Sequence, residues 1–485
     1  MLKRAVVYDI ETFPNMLSVH WKLLNGSTAL TYEISEFCDH RDFLFDWIYR
    51  LGKEERCMIG FNSIGFDWPV LQWFYNNQDA AVEDVYARAM NLIQSNDRFG
   101  NIIWANERIV PQVDLFRTNH FDNRAKTTSL KALQFNMRAE NIVESAVPFG
   151  TVLDPEQIKQ VIEYNRHDVS ETKRFAYHCM AALSFRSGMI EQFGLDVLNW
   201  NDTKIGAKIL ETRLGRDLCY YWDSNNKRQI RQTPRQQIVL RDIIFSYVRF
   251  THPDLQRVLD YMREQVLVPD DLTDPDAPVK TKGVFAGLSA KVGGIELQFG
   301  TGGIHGSVRN KVIRAGNGRR IRDIDVSGMY PAIAIANRLA PEHLGQRFIE
   351  EYARLPRERA RFAKGTVENA SLKLASNGTY GNTNNRYSPF YDPLYTMSVT
   401  INGQLMLAML AERLAEVPTL ELIQCNTDGI TYAIDDEHEP EAKEICRKWQ
   451  HTTSLVLEDV DYEAMWLSDV NTYLARTVDG DVKQK

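Results

Sequence analysis

The sequence lacks most of the features that mark secreted, membrane-spanning or zinc-binding proteins. Its six cysteines are scattered and form no CxxC pair, which predicts reduced thiols and excludes a zinc or iron–sulfur site. No apolar stretch approaches about 18 residues, so a membrane span is not expected. The first residues lead directly into a strand-like run, which gives no sign of a signal peptide. These absences predict a cytoplasmic protein.

An excess of positive charge is also missing. The net charge of −7 has the wrong sign for a protein that holds nucleic acid by bulk attraction, although binding depends on local charge and not on the total. There is no internal repeat and no low-complexity segment. With 485 residues, 44% of them hydrophobic, the chain can bury the cores of about three domains.

Two acids lie at the end of the apolar run at 4–10: Asp9 within it and Glu11 directly after it. On a strand, positions i and i+2 point to the same face. Two carboxylates on one face repel each other unless a cation lies between them, and oxygen ligands favour Mg²⁺ or Mn²⁺. This pair therefore predicts one part of a divalent metal site.

Further acids follow at intervals that can complete such a site. Asp67 comes after a second strand candidate at 57–61 and a turn. Tyr164 and Asp168 lie four residues apart and so share a helix face. The helical segment at 155–187 that carries them starts with a proline, and Asp154 is its expected N-cap.

The order DxE, NxxxFD, YxxxD over about residues 1–190 resembles the proofreading 3′–5′ exonucleases of the ribonuclease H-like fold. The resemblance implies that Asp9, Glu11, Asp67 and Asp168 hold two metals, that Tyr164 orients the attacking water, and that Asn62 and Phe66 hold the frayed 3′ end. Core packing is an equal alternative for Phe66. His167 is expected on the helix surface, and Asp114 is either a supporting acid or a strand-end residue.

Three motifs in the second half resemble the palm motifs of family B DNA polymerases. The stretches are Asp325–Pro331 for DxxSLYP, Lys373–Gly381 for KxxxNSxYG and Asn426–Gly429 for DTDS. The last lies between two apolar runs, as the tip of a hairpin would. The resemblance implies that Asp325 and Asp428 hold two metals. It also implies that Tyr330 lies under the sugar and excludes a 2′-hydroxyl, with Tyr380 supporting that pocket.

Basic residues near these motifs are candidates for phosphate contacts. Lys373 and Asn377 share a helix face and can reach phosphate oxygens. Arg361 and Lys364 are predicted on one face of an earlier helix that Pro356 opens, so that two helical fingers aim at one triphosphate. A second basic cluster, either a DNA backbone contact or a solvated hairpin, consists of Arg309, Lys311, Arg314, Arg319, Arg320 and Arg322.

Some positions of the three motifs depart from the family pattern. Gly328 and Gly378 replace serines, and Asn426 replaces the first aspartate of the third motif, which removes one charge. Asp323, two residues before Asp325, either restores that charge or is a hydrogen-bonded strand acid. The short interval between Asp325 and Lys373 leaves little room for the insertion of protein-primed relatives, so a nucleic-acid primer is expected.

The last residues suggest a primer-gripping region without a thumb. Residues 469–473, which end in Tyr473, look like the KxRY region of the palm, and Asp479–Gly480 predicts a tight turn. The thumb is expected to be absent or truncated, which would weaken the grip on duplex DNA. Polar residues at 223–236 predict a loop, and prolines and aspartates at 269–282 predict a linker.

The expected fold is an α/β and α+β multidomain chain, with a ribonuclease H-like exonuclease domain before a family B palm and short helical fingers. The predicted parts are an exonuclease domain over 1–190, a connecting region over 191–285, palm over 286–340, fingers over 341–385 and palm again over 386–485.

The predicted function is DNA-templated extension of a primer with dNTPs, with 3′–5′ proofreading, by a compact phage-type enzyme. Mg²⁺, or Mn²⁺ in its place, is the expected cofactor, two ions per site. The partners are primer-template DNA, single-stranded DNA and dNTPs, with no membrane, in the cytoplasm of a bacterial host if the protein is viral. A nuclease with a non-catalytic, DNA-holding palm is the alternative, and a non-catalytic DNA-binding scaffold is a third possibility.

Overall fold

The apolar run that precedes the first acids forms a strand, as its composition predicts. It is central in a mixed five-stranded sheet of the first of two units, Met1–Asp202 and Thr203–Lys485. The computed structural model describes residues 2–95, 101–123, 126–274 and 277–485. The strands of the first unit are β1 (Val6–Phe13), β2 (Met16–Leu23), β3 (Ala29–Ser35), β4 (Met58–Gly60) and β5 (Gln112–Asp114).

The sheet order is β3-β2-β1-β4-β5, with β1, β2 and β3 antiparallel and β4 and β5 parallel to β1. Side chains of β1 alternate between two apolar cores: Val6 and Tyr8 pack into one, Val7 into the other. The helices are α1 (Arg41–Lys53), α2 (Asp67–Asn76), α3 (Val82–Gln94), α4 (Leu115–Thr118), α5 (Leu130–Asn136), α6 (Pro155–His178) and α7 (Met180–Phe193).

The long helix α6 begins where the sequence predicts. The Asp154 carboxylate accepts hydrogen bonds from the backbone N–H groups of Glu156 and Gln157, and Pro155 occupies the first turn. Val169 and Phe175 on α6 pack into the same core as Val7 of β1. Asp9 and Glu11 point to the same face of β1 as Val7. They therefore face α6 beyond the edge of this core.

The second unit is built on a ten-stranded sheet in the order β10-β11-β12-β15-β16-β14-β17-β18-β19, with β13 paired to β17. Its strands include β10 (Ser289–Val292), β11 (Ile295–Phe299), β12 (Ile304–Ser307), β13 (Lys311–Arg314), β14 (Arg319–Val326), β15 (Glu421–Asn426), β16 (Gly429–Asp435), β17 (Leu457–Asp469), β18 (Thr472–Thr477) and β19 (Val482–Gln484). Two small ribbons pair β6 (Tyr220–Trp222) with β7 (Arg228–Ile230) and β8 (Ile238–Val239) with β9 (Val266–Leu267). The hairpin predicted around Asp428 (β15–β16) and the tight turn predicted at Gly480 between β18 and β19 are both formed.

Helices pack on this sheet around one large apolar core. They are α8 (Asp202–Leu214), α9 (Arg216–Cys219), α10 (Leu240–Ile243), α11 (Pro253–Glu264), α12 (Met329–Ala336), α13 (Gly345–Arg359), α14 (Val367–Asn382), α15 (Pro393–Leu414) and α16 (Glu439–Thr453). By length and composition α15 alone among the described helices could cross a membrane, but 89% of its most apolar window is buried inside the protein. It is therefore the core helix of the second unit.

Three local predictions differ from the structure. Strand β7 lies within the predicted loop at 223–236. Pro356 does not open a helix but lies inside α13, which begins at Gly345, because Phe348, Tyr352 and Leu355 bury one face of that helix and hold it through the proline.

Because α13 ends at Arg359, Arg361 and Lys364 lie in the turn between α13 and α14 and do not share a helix face. The described residues of the predicted linker at 269–282 form loop with an isolated bridge between Pro269 and Val279; 275–276 lie outside the described residues. All of residues 203–285 belong to the second unit, whose finer division stays a prediction.

Candidate active sites

The four predicted acids of the first unit come together between β1, α2 and α6. Asp67 is the first residue of α2, and its Oδ1 accepts a hydrogen bond from the Ile10 backbone N–H at 3.2 Å, which ties it to β1. Burial, together with Asp67, Glu11 and Asp168, raises the pKa of Asp9 well above its ordinary value. Burial and the Asp168 and Asp67 charges raise the pKa of Glu11 to about 8. The sheet and two helices therefore hold four carboxylates within electrostatic range of one another.

A buried amide that the sequence analysis missed orients the first of these acids. Asn165 donates through Nδ2 to Asp9 Oδ2 at 2.8 Å, and its Oδ1 accepts from the Ser18 hydroxyl at 3.0 Å. Asn165 is fully buried on α6, one residue after the motif tyrosine. Its position four residues after Val161 and seven after Ile158, on the helix face that these apolar residues bury, was the signal that could have identified it.

Asp114 stabilises the turn at Asn62–Ile64 that precedes Asp67 in the chain. Its fully buried carboxylate accepts hydrogen bonds from the backbone N–H groups of Asn62 at 2.9 Å, Ile64 at 3.2 Å and Phe116 at 3.0 Å. Asn62 has a left-handed backbone with φ 61°, which these bonds help to hold. Asp114 is thus both a strand-end residue and a support for the site.

Tyr164 lies beside the acids: burial, and after it the charges of Asp168 and Glu11, raise the pKa of its hydroxyl. The Lys131 ammonium stands 5.2 Å from the centre of the Tyr164 ring and lowers the pKa of Glu11 against the neighbouring acids. No motif in the sequence marks Lys131 as part of this site. His167 is partly exposed and contacts the Asn141 carbonyl and Asp168, as expected of a residue on the rim of the helix.

The two candidate 3′-end residues differ in exposure. The Asn62 side chain is exposed, whereas Phe66 is partly buried and packs against the apolar core of the first unit. The core-packing interpretation of Phe66 therefore has direct support. Any contact of its ring with DNA stays a prediction.

In the second unit, the predicted polymerase acid Asp325 on β14 lies next to the turn before β16 that carries Asp428. Asp325 lies on β14 directly opposite Gly429, the first residue of β16, and the Val326 N–H donates to the Asp428 carbonyl at 2.8 Å. A Cβ added at Gly429 would stand 1.9 Å from Asp325 Oδ1, so the carboxylate occupies the space that this glycine leaves. The Asp325–Asp428 pair is thus fixed by strand register, a hundred residues apart in the chain.

The pKa values of both acids in this pair are raised, mainly because the two carboxyl groups are buried. Burial and the Asp323 and Asp428 charges raise the pKa of Asp325 to about 6. Burial also raises the pKa of Asp428, against a lowering effect of Lys485. Glu458, opposite Asp325 on β17, adds a smaller repulsion and accepts a hydrogen bond from the Ser327 hydroxyl at 2.7 Å.

Asp323 is a hydrogen-bonded strand acid. It is buried and accepts from the Thr431 hydroxyl at 2.6 Å, from the Tyr462 hydroxyl and from the Lys483 ammonium at 3.2 Å. Lys483 also donates to the Tyr462 hydroxyl at 2.8 Å. The acceptor capacity of Asp323 is therefore used by neighbours from β16, β17 and β19, which favours the second of the two interpretations made from the sequence.

Two residues that replace family motif residues, Gly328 and Asn426, have local explanations in the structure. Gly328 precedes α12 with φ 53°, a left-handed conformation that glycine adopts without strain. Asn426 donates from its amide to the Val470 carbonyl at 3.2 Å, which engages the group that stands in place of an aspartate. Thr427, at the tip of the hairpin, contacts His305 Nε2 at 3.1 Å.

The nucleotide-binding candidates lie on α12, α14 and the turn before it. Lys373 and Asn377 are both exposed on α14, as the helical spacing predicts. The Tyr330 ring packs on Tyr380, with centroids 4.3 Å apart. Arg361 and Lys364, although outside the helix, are exposed in the same connection between α13 and α14.

The proposed DNA contacts of the second unit are mostly engaged within the protein. Arg320 pairs with Asp436 at 2.6 Å, whereas Arg309 is exposed and has no ion pair in the described part of the chain. Tyr473, on β18, exchanges backbone hydrogen bonds with Lys485. The remaining cluster residues are paired: Lys311 with Glu421, Arg319 with Glu421 and Asp435, and Arg322 with Glu439, Asp459 and Asp461; Arg314 lies over the Trp466 ring.

Both clusters have the donor chemistry of a magnesium site without its closed geometry. Burial, and after it the neighbouring carboxylate charges, raise the pKa values of these acids, whose oxygen atoms are the ligands that a hard divalent cation takes. Yet, within the described ranges, no three His, Cys, Asp or Glu side chains are arranged to hold a metal ion as they stand. The fold thus brings the acids within electrostatic range of one another, and the described residues show no closed coordination shell.

The two units together define a mixed α/β multidomain fold similar to that of a family B DNA polymerase. One similar solved structure is the family B DNA polymerase of the hyperthermophilic archaeon Pyrobaculum calidifontis, with a TM-score of 0.51 and 16% sequence identity. The match covers 99% of this chain and 59% of that one, so this chain spans well under two thirds of that polymerase. No protein-family model matches the sequence. No curated protein matches it either.

Proposed function

We propose that this protein is a DNA-templated DNA polymerase that extends a nucleic-acid primer with dNTPs and removes mismatched ends with its own 3′–5′ exonuclease. The observation that carries the proposal is the pairing of Asp325 with the hairpin tip that bears Asp428. The order of motifs and the similar polymerase fold support it. The compact phage-type assignment rests on the sequence resemblance alone.

In extension, the residues of the second unit would bind and orient the reactants. Asp325 and Asp428 would hold the cations, and Lys373 with Asn377 would contact the triphosphate from one exposed helix face. Arg361 and Lys364 would add charge from the adjoining turn. Tyr330 and Tyr380 would form the surface under the sugar. Such positioning and charge stabilisation provide most of the catalysis in phosphoryl transfer.

In digestion, the acids of the first unit would do the corresponding work. Asp9, Glu11, Asp67 and Asp168 would hold the cations, while the Tyr164 hydroxyl would orient a water molecule. At either site, two bound Mg²⁺ ions would activate the attacking oxygen and stabilise the leaving one. Asn165, through its bond to Asp9, would fix the orientation of one ligand.

A primer-extension gel with and without dNTPs tests both activities at once. The unaltered chain should lengthen a primed template with Mg²⁺ and dNTPs and shorten the primer when dNTPs are omitted. Asp428→Asn should abolish extension and keep digestion, and Asp9→Ala should do the reverse. Loss of both activities in either variant would reject two independent sites.

A second candidate is an exonuclease whose palm only holds DNA. Asn426 favours it, because one motif carboxylate is missing and the amide in its place bonds to the Val470 carbonyl. Digestion without any extension, even with Mn²⁺, would support this alternative. If neither reaction occurs and the chain still binds DNA, a non-catalytic scaffold is the better description.

A further inference from the structure

A short glycine-rich turn lies beside the tyrosine that the proposed function places under the sugar. Residues Gly300–Gly303 connect β11 and β12, and the Gly300 N–H donates to the Gly303 carbonyl at 3.1 Å. Gln404 on the core helix α15 donates to the Gly300 carbonyl at 2.9 Å. The turn is therefore fixed to the most buried helix of the unit.

The same turn contacts the hairpin that bears Asp428. The Thr427 N–H donates to the Ile304 carbonyl at 2.8 Å. A Cβ added at Gly303 would lie 3.3 Å from Thr427 Cγ2 and 3.6 Å from the Tyr330 hydroxyl. The turn therefore lies against both the hairpin that bears Asp428 and the Tyr330 side chain.

Tyr330 is held at both its tip and its face. Its hydroxyl donates to the Gly302 carbonyl at 2.6 Å, and its ring packs on Tyr380. Burial, with a contribution from Asp428, raises the pKa of the Tyr330 hydroxyl to about 12, so it remains a donor at neutral pH. The ring therefore cannot move without losing a hydrogen bond.

We propose that the Gly302 carbonyl is a positioning group that locks Tyr330 and thereby sharpens the exclusion of ribonucleotides. This inference rests on the proposed polymerase function. A 2′-hydroxyl on the incoming sugar needs room that the ring can give only by swinging away from Gly302 and Tyr380. A deoxynucleotide has no 2′-hydroxyl and does not require the ring to move. The hydrogen bond to Gly302 therefore opposes binding of ribonucleotides but not of deoxynucleotides.

Tyr330→Phe isolates this effect, because it keeps the ring and removes only the donor. The preference for dCTP over CTP, as the ratio of kcat/KM values, should fall roughly 3- to 10-fold, the net strength of one neutral hydrogen bond. The change should come mainly from better use of CTP, because only the ribonucleotide needs the space that the released ring provides. Gly303→Ala, whose added Cβ would require Thr427 or the turn to shift by a few tenths of an ångström, should move the preference in the same direction.

Single-nucleotide insertion by the full chain, in an Asp9→Ala background that prevents digestion of the product, provides these ratios. The matched control is Tyr177→Phe, which removes a tyrosine hydroxyl that donates to the Leu24 carbonyl in the first unit. Its dCTP to CTP preference should equal that of the parent. Thermal unfolding of each variant shows whether the fold is intact.

Three outcomes would overturn the inference. An unchanged preference in Tyr330→Phe would mean that the ring alone excludes the 2′-hydroxyl. A parallel fall in dCTP and CTP efficiency would mean a structural role only. Absence of any dCTP insertion by the Asp9→Ala parent would instead overturn the proposed function, and the inference with it.

Discussion

Gly429→Ala is the sharpest test of the proposed polymerase site, because the structure gives the size of the disturbance directly. Gly429 lies in the regular strand β16, so its backbone does not itself require glycine. An added Cβ would stand 1.9 Å from Asp325 Oδ1, whereas ordinary contact begins at 3.4 Å. The same Cβ would stand 3.0 Å from the Ile324 carbonyl oxygen, which belongs to the rigid strand β14.

The Asp325 carboxylate must therefore move by about 1.5 Å, or the two strands must separate. A misplacement of about 1 Å at a catalytic group can cost on the order of 100-fold in rate. We expect kcat/KM for dNTP insertion to fall by at least that factor. Gly429→Ser should behave alike, although serine stands at this position in the family motif, because its Cβ meets the same oxygen.

The assay is single-nucleotide insertion, with digestion of single-stranded DNA by the same preparation as the internal control. Digestion should stay within about 2-fold, because the acids of the first unit are not altered. Overpacking of this kind typically costs about 1–3 kcal/mol of stability, so thermal unfolding must be measured alongside. If the folded variant extends a primer within about 5-fold of the parent, the assigned role of Asp325 is wrong.

Three further outcomes concern the first unit. Mg²⁺ at 100 times its Kd should stabilise it by about 2.7 kcal/mol, roughly 5–10 °C in a thermal shift, and Asp67→Asn should remove most of that gain; an equal shift in the variant would exclude Asp67 as a ligand. With metal chelated, the raised pKa values of Glu11 (about 8) and Asp67 (about 7) mean that the folded state keeps protons that the unfolded chain releases near pH 4. Tm should therefore fall between about pH 4 and 8, less so in Glu11→Gln, and identical pH profiles for parent and variant would contradict this. Asp114→Ala should cost about 2–4 kcal/mol in urea unfolding and slow digestion, because the Asn62 and Ile64 N–H groups lose their acceptor; unchanged digestion would limit Asp114 to a structural role.

Local sequence rules succeeded where a short segment decides its own structure. The start of α6 follows from an aspartate and a proline next to each other. The Asp154 carboxylate accepts from free N–H groups of the first turn, and Pro155 has no N–H to satisfy. The hairpin tip at Asp428 follows from two apolar runs around a polar turn. The same rules failed at Pro356, where three buried side chains of α13 outweigh the local preference of proline for a helix start.

The sequence by itself determined which acids are candidates, because strand and helix periodicity and the motif order are local properties of the chain. The tertiary structure alone decided which of them meet and which are already engaged. Asp323 and Asp325 look equivalent on one strand, yet Tyr462 and Lys483 bind the first, while the missing side chain of Gly429 makes room for the second. Those partners arrive through strand pairing over 100 residues or more of chain, and long-range register depends on the packing of the whole sheet.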